Sequence, residues 1–298
     1  MAVTLEPCCF EGRTAPCTEA IVQAGLKRVY VGCRDPHRKV SGRGAAKLRR
    51  AGIRVEIGIA EEACREHHRG FFSVCQRQRP FVTLKLASTL DARIATESGE
   101  SRWITGPAAR AMVHRMREVT DAVMVGSGTA LADDPELTAR RRGRIVARPI
   151  RILLDSRLRV PASARFYSES GGTRRLVLTR ARARGRRQRI EMGAELLDLG
   201  GPPGKLDLGG GMRALAEAGL TTVLVEGGGQ LAAALLRADL IDEIHWIMAP
   251  LLLGDEGRPA MGDLGVESLD RAPALAWERV RHLGKDLHLK AHRISRKG

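Results

Sequence analysis

Thr221-Thr-Val-Leu-Val-Glu-Gly-Gly-Gly-Gln-Leu-Ala-Ala-Ala-Leu-Leu-Arg-Ala238 joins an apolar, β-branched run to an Ala/Leu-rich run through three consecutive glycines. The first run, Thr221 to Glu226, predicts a buried strand, and the second, Gln230 to Ala238, predicts a helix. Main-chain N–H groups at a helix N-terminus bind phosphate, and glycines let a pyrophosphate approach the backbone. The turn is neither a G-x-G-x-x-G fingerprint nor a Walker A loop, so by spacing alone a tight turn without ligand fits it as well.

The same alternation extends outward in both directions. Upstream, strands are predicted at Phe81 to Ala87, Asp121 to Gly126, Ile150 to Asp155, Arg175 to Thr179 and Ala194 to Asp198. Helices are predicted from Pro107 to about Glu118, where proline suits the first helical position, and from Met212 to Ala218. Downstream, a long β pair runs from Glu243 to the C-terminus. Strands and helices alternate first and strands pair last, which predicts an α/β fold with a mostly parallel sheet and an antiparallel edge.

Before Phe81 the alternation belongs to a smaller unit. Ala20 to Ala24 predicts a helix closed by Gly25, Arg28 to Gly32 a strand, Ala45 to Ala51 a helix closed by Gly52, Arg54 to Ile59 a strand, and residues 61 to 72 a helix. The polar stretch Gln76-Arg-Gln-Arg-Pro80 lacks apolar periodicity and marks the boundary, giving domains 1–79 and 80–298.

The 298 residues, 43% apolar and 28% charged, suffice for two domains with a buried core and exclude overall disorder. The longest apolar runs, such as Ile247 to Leu253, fall short of the about 20 residues that span a bilayer. No basic start, apolar stretch and cleavage site follow Met1, so the chain is expected to be cytoplasmic. Of its 50 basic residues 42 are Arg, and the net charge of +16 concentrates in Arg140 to Arg151, with six Arg, and Arg174 to Arg189, with eight. A nucleic-acid or anion-binding module is one reading of that charge. Single-strand binders interleave aromatic platforms with basic residues, and neither segment contains an aromatic residue. The segments are therefore expected to be two solvated Arg-rich loops, with neither nucleic acid nor membrane as partner.

Six cysteines, at 8, 9, 17, 33, 64 and 75, are too uneven for a disulfide framework. Thr4-Leu-Glu-Pro-Cys8-Cys9 and Pro16-Cys17-Thr-Glu bracket a glycine-containing loop that runs into a helix, where Cys8 and Cys17 could converge as thiolates or zinc ligands. Two cysteines nine apart are also compatible with structural thiols. The zinc deaminase pattern is His-x-Glu followed by Pro-Cys-x-x-Cys, and only a widened second half of it occurs here.

At these residues the chain resembles the bifunctional riboflavin-biosynthesis deaminase/reductase family. The resemblance continues through Arg34-Asp-Pro and Gly42-Arg-Gly and is most specific in the second half. There it rests on Leu84-Lys-Leu-Ala-Ser-Thr-Leu-Asp91, Ser98-Gly-Glu-Ser-Arg-Trp-Ile-Thr105, Asp121-Ala-Val-Met-Val-Gly126, Thr129-Ala-Leu-Ala-Asp-Asp-Pro-Glu-Leu-Thr138, Leu154-Asp-Ser156 and Val225-Glu-Gly-Gly-Gly229. It implies a cytidine-deaminase-like domain lacking its N-terminal part, followed by a dihydrofolate-reductase-like domain, and a homo-oligomer. In the family the third zinc ligand and the proton-shuttling carboxylate lie in a His-Ala-Glu segment upstream of Pro-Cys. No His-x-Glu string occurs in this chain. The deaminase half is thus expected to be inactive alone, Cys8 and Cys17 being two zinc ligands without a third. The alternative is a complete bifunctional enzyme whose start lies upstream of Met1.

For the second domain the resemblance implies reduction of 5-amino-6-(5-phosphoribosylamino)uracil with NADPH. It points to Ala87, Trp103, Thr129, Asp133, Ser156 and the run Gly228, Gly229, Gln230, Leu231, Ala232, Ala233 and Ala234 as cofactor-binding. Ser101, Arg117, Leu137, Arg140 and Glu226 are the implied substrate contacts, and Lys85 and Glu226 are candidates for polarising or protonating the substrate. Read as residues alone, Trp103 could be a core aromatic, Asp133 could hold an Asx turn, and Arg117 could be a solvated side chain favoured by the helix dipole.

Overall fold

The computed structural model of the chain describes residues 1–12, 14–168, 170–202 and 206–294. They form two compact units, Met1–Arg79 and Pro80–Gly298.

The first unit contains β1 (Ala2–Leu5), α1 (Cys17–Gln23), β2 (Arg28–Cys33), α2 (Arg43–Arg50), β3 (Arg54–Ile57), α3 (Glu61–His67) and α4 (Arg69–Arg77). Its three strands are parallel in the order β1-β2-β3. Val29, Val31, Ala45, Leu48 and Ile53 make the core. Gly25 and Gly52, with φ of 66° and 79°, end α1 and α2 as the sequence predicted. The helix expected over 61–72 is broken at His68, whose ring bonds Thr4 Oγ1 of β1 at 2.8 Å, and helix then continues to Arg77. Buried Glu6 accepts the main-chain N–H groups of Gly42 and Ala45, both at 2.9 Å, and so fixes the loop that leads into α2.

The second unit begins with β4 (Phe81–Thr89), β5 (Arg93–Ala95), α5 (Pro107–Glu118), β6 (Ala122–Gly126), α6 (Ser127–Asp133), β7 (Ala139–Arg141), β8 (Arg144–Ala147) and β9 (Ile150–Leu154). It continues with β10 (Arg175–Thr179), α7 (Arg186–Glu191), β11 (Glu195–Asp198), α8 (Leu208–Glu217), β12 (Thr222–Val225), α9 (Gly229–Arg237), β13 (Glu243–Ala249), β14 (Arg258–Pro259), β15 (Leu275–Leu283) and β16 (Asp286–Arg293). Nine strands form one sheet in the order β11-β10-β9-β6-β12-β4-β13-β16-β15. From β11 to β13 every pairing is parallel, and β16 and β15 add the antiparallel edge. The α/β class and the mostly parallel sheet read from the sequence are those of the molecule. Val82, Leu84, Met124, Ile152, Leu176, Leu178 and Val223, buried in the central strands, pack with Met212, Leu215, Ala232 and Leu235 of α8 and α9 into the main core. Burying such side chains stabilises the fold by about 1.5–3 kcal/mol each.

Three local expectations change. The helix expected to begin at Met212 starts at Leu208, because Asp207 caps it by accepting the Gly210 N–H at 2.7 Å. The segment after Gly126, where the sequence placed no helix, forms α6, ended by Asp134 in the left-handed region at φ 40°. The Arg-rich segments are not simply solvated loops: they contain β7, β8, β9, β10 and α7. Arg151, Arg175 and Arg189 are buried and donate to the carbonyls of Arg165, Ser168, Tyr167 and Val160, tying the 155–168 connection to the sheet and to α7. A guanidinium spreads its charge over several donors, so main-chain carbonyls can hold it without a counter-ion, here leaving the Nε of each arginine without an acceptor among the described residues.

Candidate active site

Parallel strands aim their carboxyl ends at one edge of the sheet, and ligands of open α/β sheets gather there. At that edge β4, β6 and β12, the loop after Ala95, α5 and the segment 133–140 enclose a cavity of about 530 Å³. Of the residues singled out in the sequence, Lys85, Ala87, Ser101, Trp103, Arg117, Thr129, Asp133, Leu137, Arg140, Glu226 and Gly228 line it.

Glu226 leaves β12 directly into the cavity wall. Its carboxylate takes both ends of the Arg117 guanidinium, Nε to Oε1 at 2.5 Å and Nη2 to Oε2 at 2.8 Å. Nη1 of Arg117 donates to the Thr138 carbonyl at 2.9 Å. With side chains 16% and 9% exposed, this is a buried pair, and Arg117 is not the solvated helix-end residue that its position allowed. Burial alone would raise the Glu226 pKa, but the attraction and hydrogen bonds of Arg117, aided by Lys85, outweigh it and hold the carboxyl below its ordinary range. Lys85 on β4 is shifted the other way. Burial pushes its ammonium pKa down, and the nearby Glu226 only partly restores it. The site therefore pairs a firmly ionised carboxylate with a lysine readier than usual to give up its proton.

The glycine turn is closed on its outer side. A Cβ on Gly229 would meet the Pro259 carbonyl oxygen at 2.9 Å and the Gly262 nitrogen at 3.0 Å, with only backbone to yield. Thr129 Oγ1 on α6 accepts the Gly228 N–H at 3.1 Å and pins the turn to the β6 side. The first N–H groups of α9 have no intrahelical acceptor. This cradle of glycine backbone at a helix start fits a dinucleotide phosphate.

Further along α9 the side chains turn inward. Leu231 and Ala232 belong to the core, Ala233 is buried at 1% exposure, and Ala234 is half-buried, while Gln230 is exposed. Gly229, Gln230, Leu231, Ala232, Ala233 and Ala234 do not line the cavity. Ser156 does not line it either. It follows the end of β9, beside the end of β6, where Arg159 bonds Ser127. Trp103 is 69% exposed, stacked under the Arg110 guanidinium at 4.6 Å, and is no core aromatic. The turn after α6 is tied by Asp134, which accepts the Arg165 N–H at 2.8 Å, while the Asp133 carbonyl accepts from Arg102.

Sequence reasoning missed Arg110, His114, Glu136 and Arg165, all of which line the cavity. The spacing of Arg110, His114 and Arg117 put them on one face of α5, a signal available from the sequence. His114 Nδ1 accepts the Arg140 N–H at 3.1 Å, which leaves the ring proton on Nε2, and burial followed by repulsion from Arg117 lowers its pKa. With six cationic side chains, Lys85, Arg102, Arg110, Arg117, Arg140 and Arg165, against four carboxylates, the cavity is set for an anion.

In the first unit Cys8 and Cys17 do come together: the Cys17 N–H donates to Cys8 Sγ at 3.2 Å. The hydrogen bond with Cys8, together with burial, raises the Cys17 thiol pKa. Among the described residues no group of three or more His, Cys, Asp or Glu is arranged to hold a metal ion. Zinc catalysis needs three protein ligands and an activated water, so this pair does not fit a catalytic zinc by itself.

A glycine turn at the carboxyl edge of a parallel sheet, beside a cavity lined by a Lys-Glu-Arg set, is the arrangement of an α/β enzyme with its site at the strand ends. Comparison with known proteins then narrows it. Residues 80–289 match the family described as the RibD C-terminal domain. The chain is 39% identical over 286 residues to the riboflavin biosynthesis protein RibD of Aquifex aeolicus, covering 96% of this chain and 78% of that one. It is 37% identical over 300 residues to the Escherichia coli protein of that name, covering 96% and 80%. Acinetobacter baumannii RibD superposes with a TM-score of 0.87 at 36% identity, over 99% of this chain and 80% of the other. A Thermotoga maritima structure described as a diaminohydroxyphosphoribosylaminopyrimidine deaminase/5-amino-6-(5-phosphoribosylamino)uracil reductase superposes at 0.83 with 33% identity, over 98% and 79%. The chain belongs to the RibD family of riboflavin-biosynthesis enzymes and carries its reductase domain.

Proposed function

We propose that the second unit reduces the ring-opened ribosylamino group of a phosphorylated ribosylaminopyrimidine, 5-amino-6-(5-phosphoribosylamino)uracil, to its ribitylamino product. The observation that carries this reading is the buried set Lys85, Glu226 and Arg117 at the floor of a net-cationic cavity, next to the glycine turn. When bound, NADPH supplies the hydride that reduces C1′ of the open-chain imine. Gly228, Gly229 and the start of α9 would hold its phosphates, with Ala87, Trp103, Thr129, Asp133 and Ser156 along its length.

The chain's own residues then divide the work. Lys85, with its lowered pKa, gives a proton to the imine nitrogen as C1′ is reduced, and recovers it from water afterwards. Glu226 stays ionised and accepts hydrogen bonds from the substrate while fixing Arg117. Ser101, Leu137 and Arg140 complete the substrate's surroundings, and holding both partners in one orientation is a large part of the catalysis. The lowered Lys85 pKa and the ionised state of Glu226 favour Lys85, rather than Glu226, as proton donor.

For the first unit we infer that Cys8 and Cys17 are two of the three protein ligands a zinc deaminase needs, and deamination is not assigned to this chain. The test of the reductase reading is NADPH consumption by the purified chain with the phosphoribosylamino substrate. Stoichiometric formation of the ribitylamino product is expected, and no NADPH oxidation in its presence would overturn the proposal.

A further inference from the structure

A second charge cluster lies in the cavity apart from Glu226 and Arg117. One carboxylate, Glu136, accepts from Arg140 Nη2 through Oε2 and from Arg165 Nη2 through Oε1. The two arginines reach it from separate parts of the chain: Arg140 from β7, Arg165 from the start of the 3-10 turn Arg165–Tyr167. Each is also anchored elsewhere. Arg140 Nε donates to Thr138 Oγ1 at 3.3 Å, and its N–H donates to His114. The Arg165 N–H donates to Asp134 Oδ1 at 2.8 Å. The two guanidiniums are therefore held near each other by the backbone around them as well as by Glu136.

A carboxylate between two guanidiniums has the charge and the acceptor geometry of a bound oxyanion. A phosphate dianion offers the same donors more oxygens and a second charge, and arginine forks match it especially well. The side chains of Arg140, Arg165 and Glu136 are 37%, 54% and 33% exposed, so solvent screens their pairing and exchanging one anion for another sacrifices little. Resting on the reading that the substrate carries a phosphate, we propose that Arg165 grips that phosphate together with Arg140. Glu136 is an internal counter-ion that holds the place until substrate displaces it. Arg165 is then a specificity-determining residue, selecting the phosphorylated substrate over the free ribosyl compound.

The proposal makes opposite predictions for the two partners of one ion pair. Calorimetric titration of the full chain with the phosphorylated ribosylaminopyrimidine should give a Kd about tenfold or more weaker in Arg165→Gln, since a charge-assisted hydrogen bond to the anion is lost. Arg165→Lys should recover part of that loss. Glu136→Gln should bind the same compound several-fold more tightly, because a competing anion is gone. The dephosphorylated compound should bind both variants as it binds the wild type. If both variants weaken binding, and do so equally for both compounds, the pair is structural and the proposal is overturned. An unchanged Kd in Arg165→Gln overturns it as well. Binding is read without turnover, so a chain that binds the phosphate through Arg165 but oxidises no NADPH sinks the reductase reading and leaves this one standing.

Discussion

The two units hold comparable raw material and organise it differently. In Met1–Arg79 the chemically distinctive residues lie close in sequence, Cys8 in the loop after β1 and Cys17 nine positions on at the start of α1, and they meet without a third ligand among the described residues. In Pro80–Gly298 the residues that matter are dispersed. Lys85, Arg117, Thr138 and Glu226 come from β4, α5, the segment before β7 and the end of β12, yet they converge on one cavity wall, where Arg117 is hydrogen-bonded to Glu226 and to the Thr138 carbonyl beside Lys85. A short motif brings two ligands together cheaply. A parallel sheet, by aiming its carboxyl ends at one place, can assemble a complete site from distant residues.

The largest effect that separates the units should follow from Lys85→Met. Removing a general acid lowers kcat on the order of a hundredfold to ten-thousandfold, with KM for NADPH little changed. The pH dependence has a definite sign. Lys85 must be protonated to donate, and its pKa is depressed, so wild-type kcat falls as pH rises through a value below the ordinary lysine range. A profile flat to the usual lysine range would remove Lys85 from that role.

Glu226→Gln should come next. It breaks one side of a buried ion pair, which costs about 3 kcal/mol of stability, and it loosens Arg117 from its position. Chemical denaturation should show the loss, and substrate KM should rise more than kcat falls. A variant as stable as the wild type and as tight for substrate would contradict the anchoring role.

No larger, and confined to stability, is the effect expected of His288. His288 is 1% exposed, and burial, followed by the neighbouring His245, Arg281 and Lys290, holds its pKa down to about 4. Arg281 Nε donates to His288 Nδ1 at 3.2 Å, so the neutral ring presents Nε2–H to His245 at 2.9 Å. The unfolded chain binds a proton here near pH 6.5, before the folded one does. This contribution is present above that pH and lost as pH falls towards 4, a change of about 3 kcal/mol. Urea denaturation across that window should show a steeper loss in the wild type than in His288→Leu; parallel curves would show that His288 does not carry the effect.

The smallest expected effect sharpens the contrast most simply. A zinc chelator should leave NADPH turnover unchanged, since the two thiols read as zinc ligands, Cys8 and Cys17, belong to the first unit and the Lys85, Arg117 and Glu226 set to the second. Inhibition reversed by added zinc would place a metal in the reductase reaction.

The fold was legible because its strands are nearly continuous aliphatic runs, as in Ala122–Gly126 and Thr222–Val225, with glycine at or just beyond their ends. Boundaries slipped where a side chain overrode propensity, as Asp207 did by capping α8 ahead of three glycines, or where a loop ring did, as His68 did by bonding β1. Of the residues that the family resemblance pointed to, several that line the cavity lie on the parallel strands or directly follow them, as Lys85, Ala87 and Glu226 do. Arg165 and Glu136 left no local signal, because their meeting depends on a connection that three buried arginines hold in place. A run of arginines in sequence does not say which will pair with main-chain carbonyls and which will face a cavity.

Direct hydride delivery to C1′ is tested most closely by isotope transfer. With NADPH deuterated at the transferable position, mass spectrometry of the product should find one deuterium at C1′ of the ribityl chain in the wild type, and a much slower appearance of it in Lys85→Met. Product that forms without deuterium at C1′, or NADPH that is left untouched in the presence of substrate, would contradict it.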